Sequence, residues 1–279
     1  MIGFNFDYYR PTDVTQTVQL YQTLASQEKH PEYLAGGTEL ITMARLDQIR
    51  MGAVIDIGHL PEASAYGFHN GQLIIGSAIT LTQTSKTPHF PLLAEVGGEV
   101  ADHTARNQIT VGGNICGRIY YREAVLPFLL ADSTVITLGP NGFRSAAIMD
   151  VFDKRLRLHR GEWLVQLMVD RAITTLPFYS VKRRKLDQIG YPLLTLAALK
   201  KDGLIRAAFS GLCAFPFRST EIEDILNNRD LSKMERISQV IDKVPGPILD
   251  DLLASSEYRI FVLRNTLMEM FLALESEGA

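Results

Sequence analysis

Two glycine pairs constrain this chain more than any other feature. Tyr33-Leu34-Ala35-Gly36-Gly37-Thr38-Glu39-Leu40 passes from apolar residues through paired glycines to side chains that can hydrogen-bond, and Thr110-Val111-Gly112-Gly113-Asn114-Ile115 repeats the plan. Glycine carries no Cβ and reaches positive φ without steric penalty, so successive N–H groups can converge on one anion. A helix opening at Thr38 would add free amides and the positive end of its dipole. Either loop alone also fits a tight turn, but two matching loops suggest one diphosphate. There is no Gly-x-Gly-x-x-Gly after the first strand and no Gly-x-x-x-x-Gly-Lys-Ser/Thr, which argues against the usual Rossmann and P-loop sites.

The rest of the pattern places these loops. Phe4 and Phe6 alternate with polar neighbours and predict a first strand before Pro11; Asp13 caps a helix whose apolar side includes Val14, Val18, Tyr21 and Ala25. The first glycine loop, a helix to Leu46 and a strand over 53–57 complete a βαβ order. Asn70-Gly71 predicts a hairpin, and Thr80 the cap of a short helix. Helices are expected over 92–101 and 122–131, and a strand over 134–138. Beyond about Leu164 the texture changes to strands at 178–182, 193–199 and 204–214, with Asp202-Gly203 as a turn, followed by helices over 220–227, 232–244 and 247–274, the last broken near Ser255-Ser256. Strands followed by helices suggest a separate α+β unit.

Several chemistries find no support. The chain has 279 residues, a net charge of -3 and 21% charged residues, without the basic face expected of a nucleic-acid binder. Its one basic run, Lys182-Arg183-Arg184-Lys185, reads as a solvated strand end. The six histidines show no metal-ligand spacing. Gly76-Ser77-Ala78 and Phe209-Ser210-Gly211 are too short to be nucleophile elbows. Cys116 and Cys213 stand alone, which predicts two buried thiols in a reducing compartment and no cluster ligands. No signal peptide and no run of about 18 apolar residues is present, so a cytoplasmic protein without a membrane span is expected.

Ala-Gly-Gly-Thr-Glu-Leu followed downstream by Thr-Val-Gly-Gly-Asn-Ile resembles the FAD-binding subunit of the molybdenum hydroxylases, the family of xanthine and carbon monoxide dehydrogenases. The resemblance implies an α+β fold: a two-lobed α/β FAD-binding region at 1–172, divided near 57, then a small antiparallel sheet with helices at 173–279. It also implies a binding site. Tyr33, Leu34, Ala35, Gly36, Gly37, Thr38, Glu39 and Leu40 match one pyrophosphate segment, and Thr110, Val111, Gly112, Gly113 and Asn114 match the second. Glu123 falls where relatives place an aspartate that accepts hydrogen bonds from FAD. Leu164 aligns with an apolar residue on the flavin side. Lys182 aligns with a lysine near the isoalloxazine, where a cation would favour the reduced anionic flavin by roughly 4 kcal/mol at 4 Å. The chain departs from the pattern at Cys116-Gly117-Arg118-Ile119-Tyr120-Tyr121-Arg122, where relatives carry small residues. Arg118 or Arg122 can match phosphate oxygens there, with an ion pair to Glu123 or exposure to solvent as the plainer reading for Arg122.

Such a subunit transfers electrons. The resemblance implies partners, a molybdopterin-binding large subunit and an iron-sulfur small subunit, with FAD passing electrons to NAD or another acceptor. The alternatives are a flavin- or nucleotide-binding assembly module without turnover, and a free-standing flavin oxidoreductase.

Overall fold

A computed structural model describes residues 1–185 and 190–275. Among these residues three larger sheets follow one another along the chain, and a two-stranded one pairs Phe152–Asp153 with Arg155–Leu156. The first is parallel, with Ala53–Asp56 between Asp7–Tyr9 and Pro31–Leu34. Crossover helix Val14–Ser26 begins where Asp13 accepts the Gln16 N–H at 2.9 Å, as the sequence predicts. The first strand lies later than predicted. Gly52 accepts the Asp7 N–H and starts the ladder there, while Phe4 and Phe6 pack against the cluster of Ala44, Met51 and Val54.

The second sheet is antiparallel, in the order Tyr66–His69, Gln72–Gly76, Trp163–Asp170, Thr134–Gly139, Gly142–Ala147. Trp163–Asp170 is buried along most of its length because it is the central strand. The predicted Asn70-Gly71 turn closes the first hairpin with both residues at positive φ. Beside this sheet, Thr80 and Gln83 form a reciprocal capping box on helix Leu81–Lys86. Helix Pro91–Gly98 ends short of the predicted Ala101. Residues 122–131 are a 3-10 turn, Glu123–Val125, followed by helix Leu126–Leu130, because Pro127 supplies no N–H and fits only a first helical turn.

The third sheet is a meander of Phe178–Arg184, Pro192–Lys201, Leu204–Ser210 and Phe217–Arg218. Its second strand is buried on both faces. Leu194, Leu196 and Ala198 meet helices Thr220–Asn227, Lys233–Asp242 and Ser256–Glu275, while Ala197 and Leu199 join the core of the second sheet with Phe128 and Leu93. The last helix begins at Ser256, at the expected break near Ser255-Ser256, and residues 247–255 ahead of it are not helical. Ahead of it, the Asp251 carboxylate accepts the Leu253 and Ala254 N–H groups and pairs with Arg259, which holds the segment in a turn.

The two glycine loops meet where the first two sheets adjoin. At Gly36 a Cβ would lie 1.8 Å from the Gln108 carbonyl oxygen, so only a bare α-carbon allows the two backbones to approach. Gly113 is less constrained, since its Cβ would meet only the Thr110 hydroxyl, at 2.8 Å. Gly36→Ala is therefore expected to cost about 2–3 kcal/mol by overpacking, and Gly113→Ala clearly less, as measured by urea unfolding of each variant.

Candidate functional site

The first loop opens a helix without a side-chain cap. Gly37 takes φ 72° and turns the chain from strand Pro31–Leu34 into helix Thr38–Arg45. That turn leaves the N–H groups of Gly36, Gly37, Thr38, Glu39 and Leu40 without protein acceptors among the described residues, and Ile41 is the first to bond back, to Gly37 O at 2.9 Å. All five residues line a cleft of about 290 Å³. Consecutive open amides at a helix N-terminus bind anions, through both the N–H groups and the dipole.

The second loop differs from its sequence twin. Residues 111–116 form helix Val111–Cys116, capped by Thr110. Its amides are already taken: Val111 N donates to Ile79 O, Gly112 N to Ser77 O, Gly113 N to Thr110 Oγ1 and Asn114 N to Thr110 O. Thr110, Gly112 and Gly113 line the same cleft, and a Cβ on Gly36 would lie 3.3 Å from Thr110 Cγ2. Val111 is fully buried in the core and lines neither cleft. Asn114 uses its Oδ1 to accept the Ala124 N–H at 3.0 Å, tying this helix to the turn that carries Glu123.

Glu39 joins the two loops. Its carboxylate accepts the Arg118 N–H at 2.9 and 3.0 Å and the Ile119 N–H at 2.8 Å. Arg122, also behind this segment, donates to the Gly117 and Ile119 carbonyls at 3.1 Å and to Lys154 O. The expected Arg122–Glu123 ion pair is absent, and Arg122 braces backbone instead. The Arg118 guanidinium contacts Glu32 at 3.4 Å. Glu32, on the wall of the first cleft, has its carboxyl pushed up by burial, against the opposing pull of Arg118.

A second cleft of about 750 Å³ continues from the first; Thr38, Glu39, Met43, Gly113, Gly117 and Arg118 border both. Its far wall carries Glu123 and Lys182, each side chain 2% exposed and 2.9 Å apart. Glu123 also accepts from Thr195 Oγ1 at 2.7 Å, and Lys182 donates to Glu99 O at 2.9 Å. Burial draws the Lys182 ammonium downward, against the opposing pull of Glu123. Lys182 is thus half of a neutral pair rather than a lone cation. The rest of the basic run is also committed: Arg183 to Glu269, Arg184 to Glu99 and Lys185 to Leu252 O.

Leu164 is buried on the floor of the first cleft, beside Trp163 and Glu162. The motifs did not mark these two neighbours, nor Ser77, Met43 and Tyr191, which also line the clefts, whereas Tyr121 on the second cleft belongs to the Cys116–Arg122 departure noted in the sequence. Tyr121 stacks on Tyr191 at 4.4 Å across the sheet boundary, a pairing with no local signature. Cys213 is buried as expected, whereas Cys116 is exposed because it ends the second-loop helix on the cleft wall. No group of metal-ligating side chains occurs among the described residues, and none of their helices is long and apolar enough to cross a membrane.

Comparison with known proteins gives this site its context. The model of the FAD binding domain in molybdopterin dehydrogenase matches residues 4–169. The chain belongs to this family. It is 23% identical over 277 residues to the xanthine dehydrogenase FAD-binding subunit of Escherichia coli O157:H7, spanning 92% of this chain and 89% of that one. It is 30% identical over 149 residues to the carbon monoxide dehydrogenase medium chain of Hydrogenophaga pseudoflava, spanning 52% and 51%. The fold matches carbon monoxide dehydrogenase from the same organism, in the form that lacks the Mo-pyranopterin moiety, with a TM-score of 0.86 over all of both chains at 23% identity. The chain is therefore an FAD-binding subunit of the molybdenum hydroxylase type, with dehydrogenase subunits as its relatives. The residues present fit the dinucleotide: open amides suit its diphosphate, and two joined clefts suit its two halves.

Two ionic groups yield predictions. Lys182→Met leaves a buried carboxylate unpaired, which is expected to cost about 3–5 kcal/mol; removing both charges in Glu123→Gln/Lys182→Met should cost less, and urea unfolding measures the difference. Burial alone would raise Glu162, but hydrogen bonds from Arg144, Thr137 and the His159 N–H bring its pKa from 4.5 to about 2. A folded pKa below the unfolded one gives stability that is present above pH 4.5 and lost as the pH falls toward about 2. That carboxylate contributes about 3 kcal/mol at neutral pH by this linkage, so the stability gap between wild type and Glu162→Gln should close in acid.

Proposed function

We propose that this chain is the electron-transfer subunit of a multi-subunit dehydrogenase, taking electrons from iron-sulfur clusters on a partner and passing them through FAD to NAD or another acceptor. The observation that carries this reading is the run of five unpaired amides, Gly36 to Leu40, facing a cleft that continues into a second. FAD, when bound, would supply the redox chemistry, and the protein supplies position and electrostatics. The Gly36–Leu40 amides would hold the diphosphate, and Asn114 would set the turn bearing Glu123. Leu164 would pack against the cofactor from the floor of the first cleft. Glu123 and Lys182, already paired, would present a fixed polar wall to the ring system.

The partner reading draws on the family, and the two cysteines of these 279 residues are too few for iron-sulfur clusters held by four thiolates each. We place the clusters on a small subunit and molybdopterin on a large one, with residues 1–172 as the FAD-binding domain and 173–279 as the domain that closes the second cleft. A cytoplasmic setting accords with two cysteines that are both free.

The purified chain, incubated with FAD and desalted, is expected to keep flavin absorbance near one equivalent. Gly37→Val, which forces a β-branched residue to φ 72°, should lose the flavin while keeping its circular dichroism. A wild-type chain that emerges colourless, or a Gly37→Val chain that retains full occupancy, would sink the assignment.

A further inference from the structure

Ser77 leaves strand Gln72–Gly76 at the junction of the second sheet and the second glycine loop. Its backbone is fixed on both sides: its N–H donates to Val165 O at 2.9 Å, and its carbonyl accepts the Gly112 N–H at 2.8 Å. Gly112 lies so near that a Cβ there would sit 2.4 Å from the Ser77 Cβ. The side chain is 2% exposed, and its Oγ has no hydrogen-bond partner. Burying an unpaired hydroxyl costs about 1–3 kcal/mol, and alanine would fit the same space without that cost.

The position of this hydroxyl distinguishes it from the other unpaired ones. Thr82 Oγ1 and Ser210 Oγ are also buried without partners, but neither residue lines either of these two clefts. Ser77 lines the first cleft together with Gly36, Gly37 and Thr38, whose amides are the open donors. A group surrounded by donors and able to take one more is rich in acceptors and has no hydrogens of its own to offer. A diphosphate is such a group.

We propose that Ser77 Oγ is a further binding residue for the dinucleotide, donating its hydrogen to a diphosphate oxygen in the cleft that the Gly36–Leu40 residues also line. The assignment rests on the FAD reading of the cleft. It supplies from the second-loop side a donor that the internally paired amides of Val111 to Asn114 cannot, and explains why an unpaired hydroxyl is kept there.

The test is Ser77→Ala in the purified chain, with dissociation constants for FAD and for ADP and the melting temperature of the flavin-free protein. Loss of one hydrogen bond to a charged group should weaken both FAD and ADP about ten-fold. Removing an unpaired hydroxyl should leave the melting temperature unchanged or higher, whereas a merely structural serine would lower it and leave ADP affinity intact. Ser77→Gly removes the same hydroxyl and gives a second reading if the alanine variant misfolds. Unchanged affinities, or FAD weakened with ADP unaffected, would overturn the Ser77 assignment alone. A wild-type chain that binds neither ligand would overturn the cleft reading and this assignment with it.

Discussion

The site depends on the contact between the two glycine segments. The Gly36 backbone passes the Gln108 carbonyl at a distance no side chain would permit, and the Glu39 carboxylate then accepts the amides of Arg118 and Ile119. These contacts hold the helix N-terminus and the second glycine segment around one cleft. A charge-assisted hydrogen bond is about twice as strong as a neutral one, and Glu39 makes such bonds to two consecutive amides. Without them the first loop would still turn at Gly37, but it would face no second wall.

The two loops look alike in sequence and divide the work in the structure. The first keeps five amides open; the second satisfies its own and contributes shape, a floor and a tether through Asn114 to Glu123. The difference comes from their surroundings. Segment 110–114 lies beside the backbone of Ser77 and Ile79, whose carbonyls accept its amides, while segment 36–40 projects past the end of a parallel strand where no carbonyl is available. Glycine in the first loop therefore serves close backbone approach and positive φ, and the amides left open are a consequence of the turn.

The second cleft joins regions distant in sequence. Glu123 comes from a 3-10 turn, Thr195 and Lys182 from two strands of the third sheet, and the Glu99 carbonyl from the end of helix Pro91–Gly98. Their mutual satisfaction lets two charges stay buried at 2% exposure. The pair is electrically neutral as a unit, so it fixes the distance between the third sheet and the FAD-binding region more than it projects a field into the cleft.

The sequence by itself determined what depends on neighbouring residues. Asp13, Thr80 and Ser232 cap helices because the acceptor and the amide it serves are three residues apart; Asn70-Gly71 and Asp202-Gly203 turn because those residues tolerate positive φ. Both Gly-Gly segments line the first cleft. Tertiary structure alone decided the rest. Segment 247–255 stays out of the last helix because Asp251 turns it and pairs with Arg259, the first amides of the second loop are taken by the Ile79 and Ser77 carbonyls, and Ser77 and Trp163 reach the cleft through sheet pairing. The reason is range: a cap or a turn closes its hydrogen bonds within a few residues, whereas a cleft wall, a buried ion pair or an open amide is defined by what lies across from it, and the chain supplies that from distant positions.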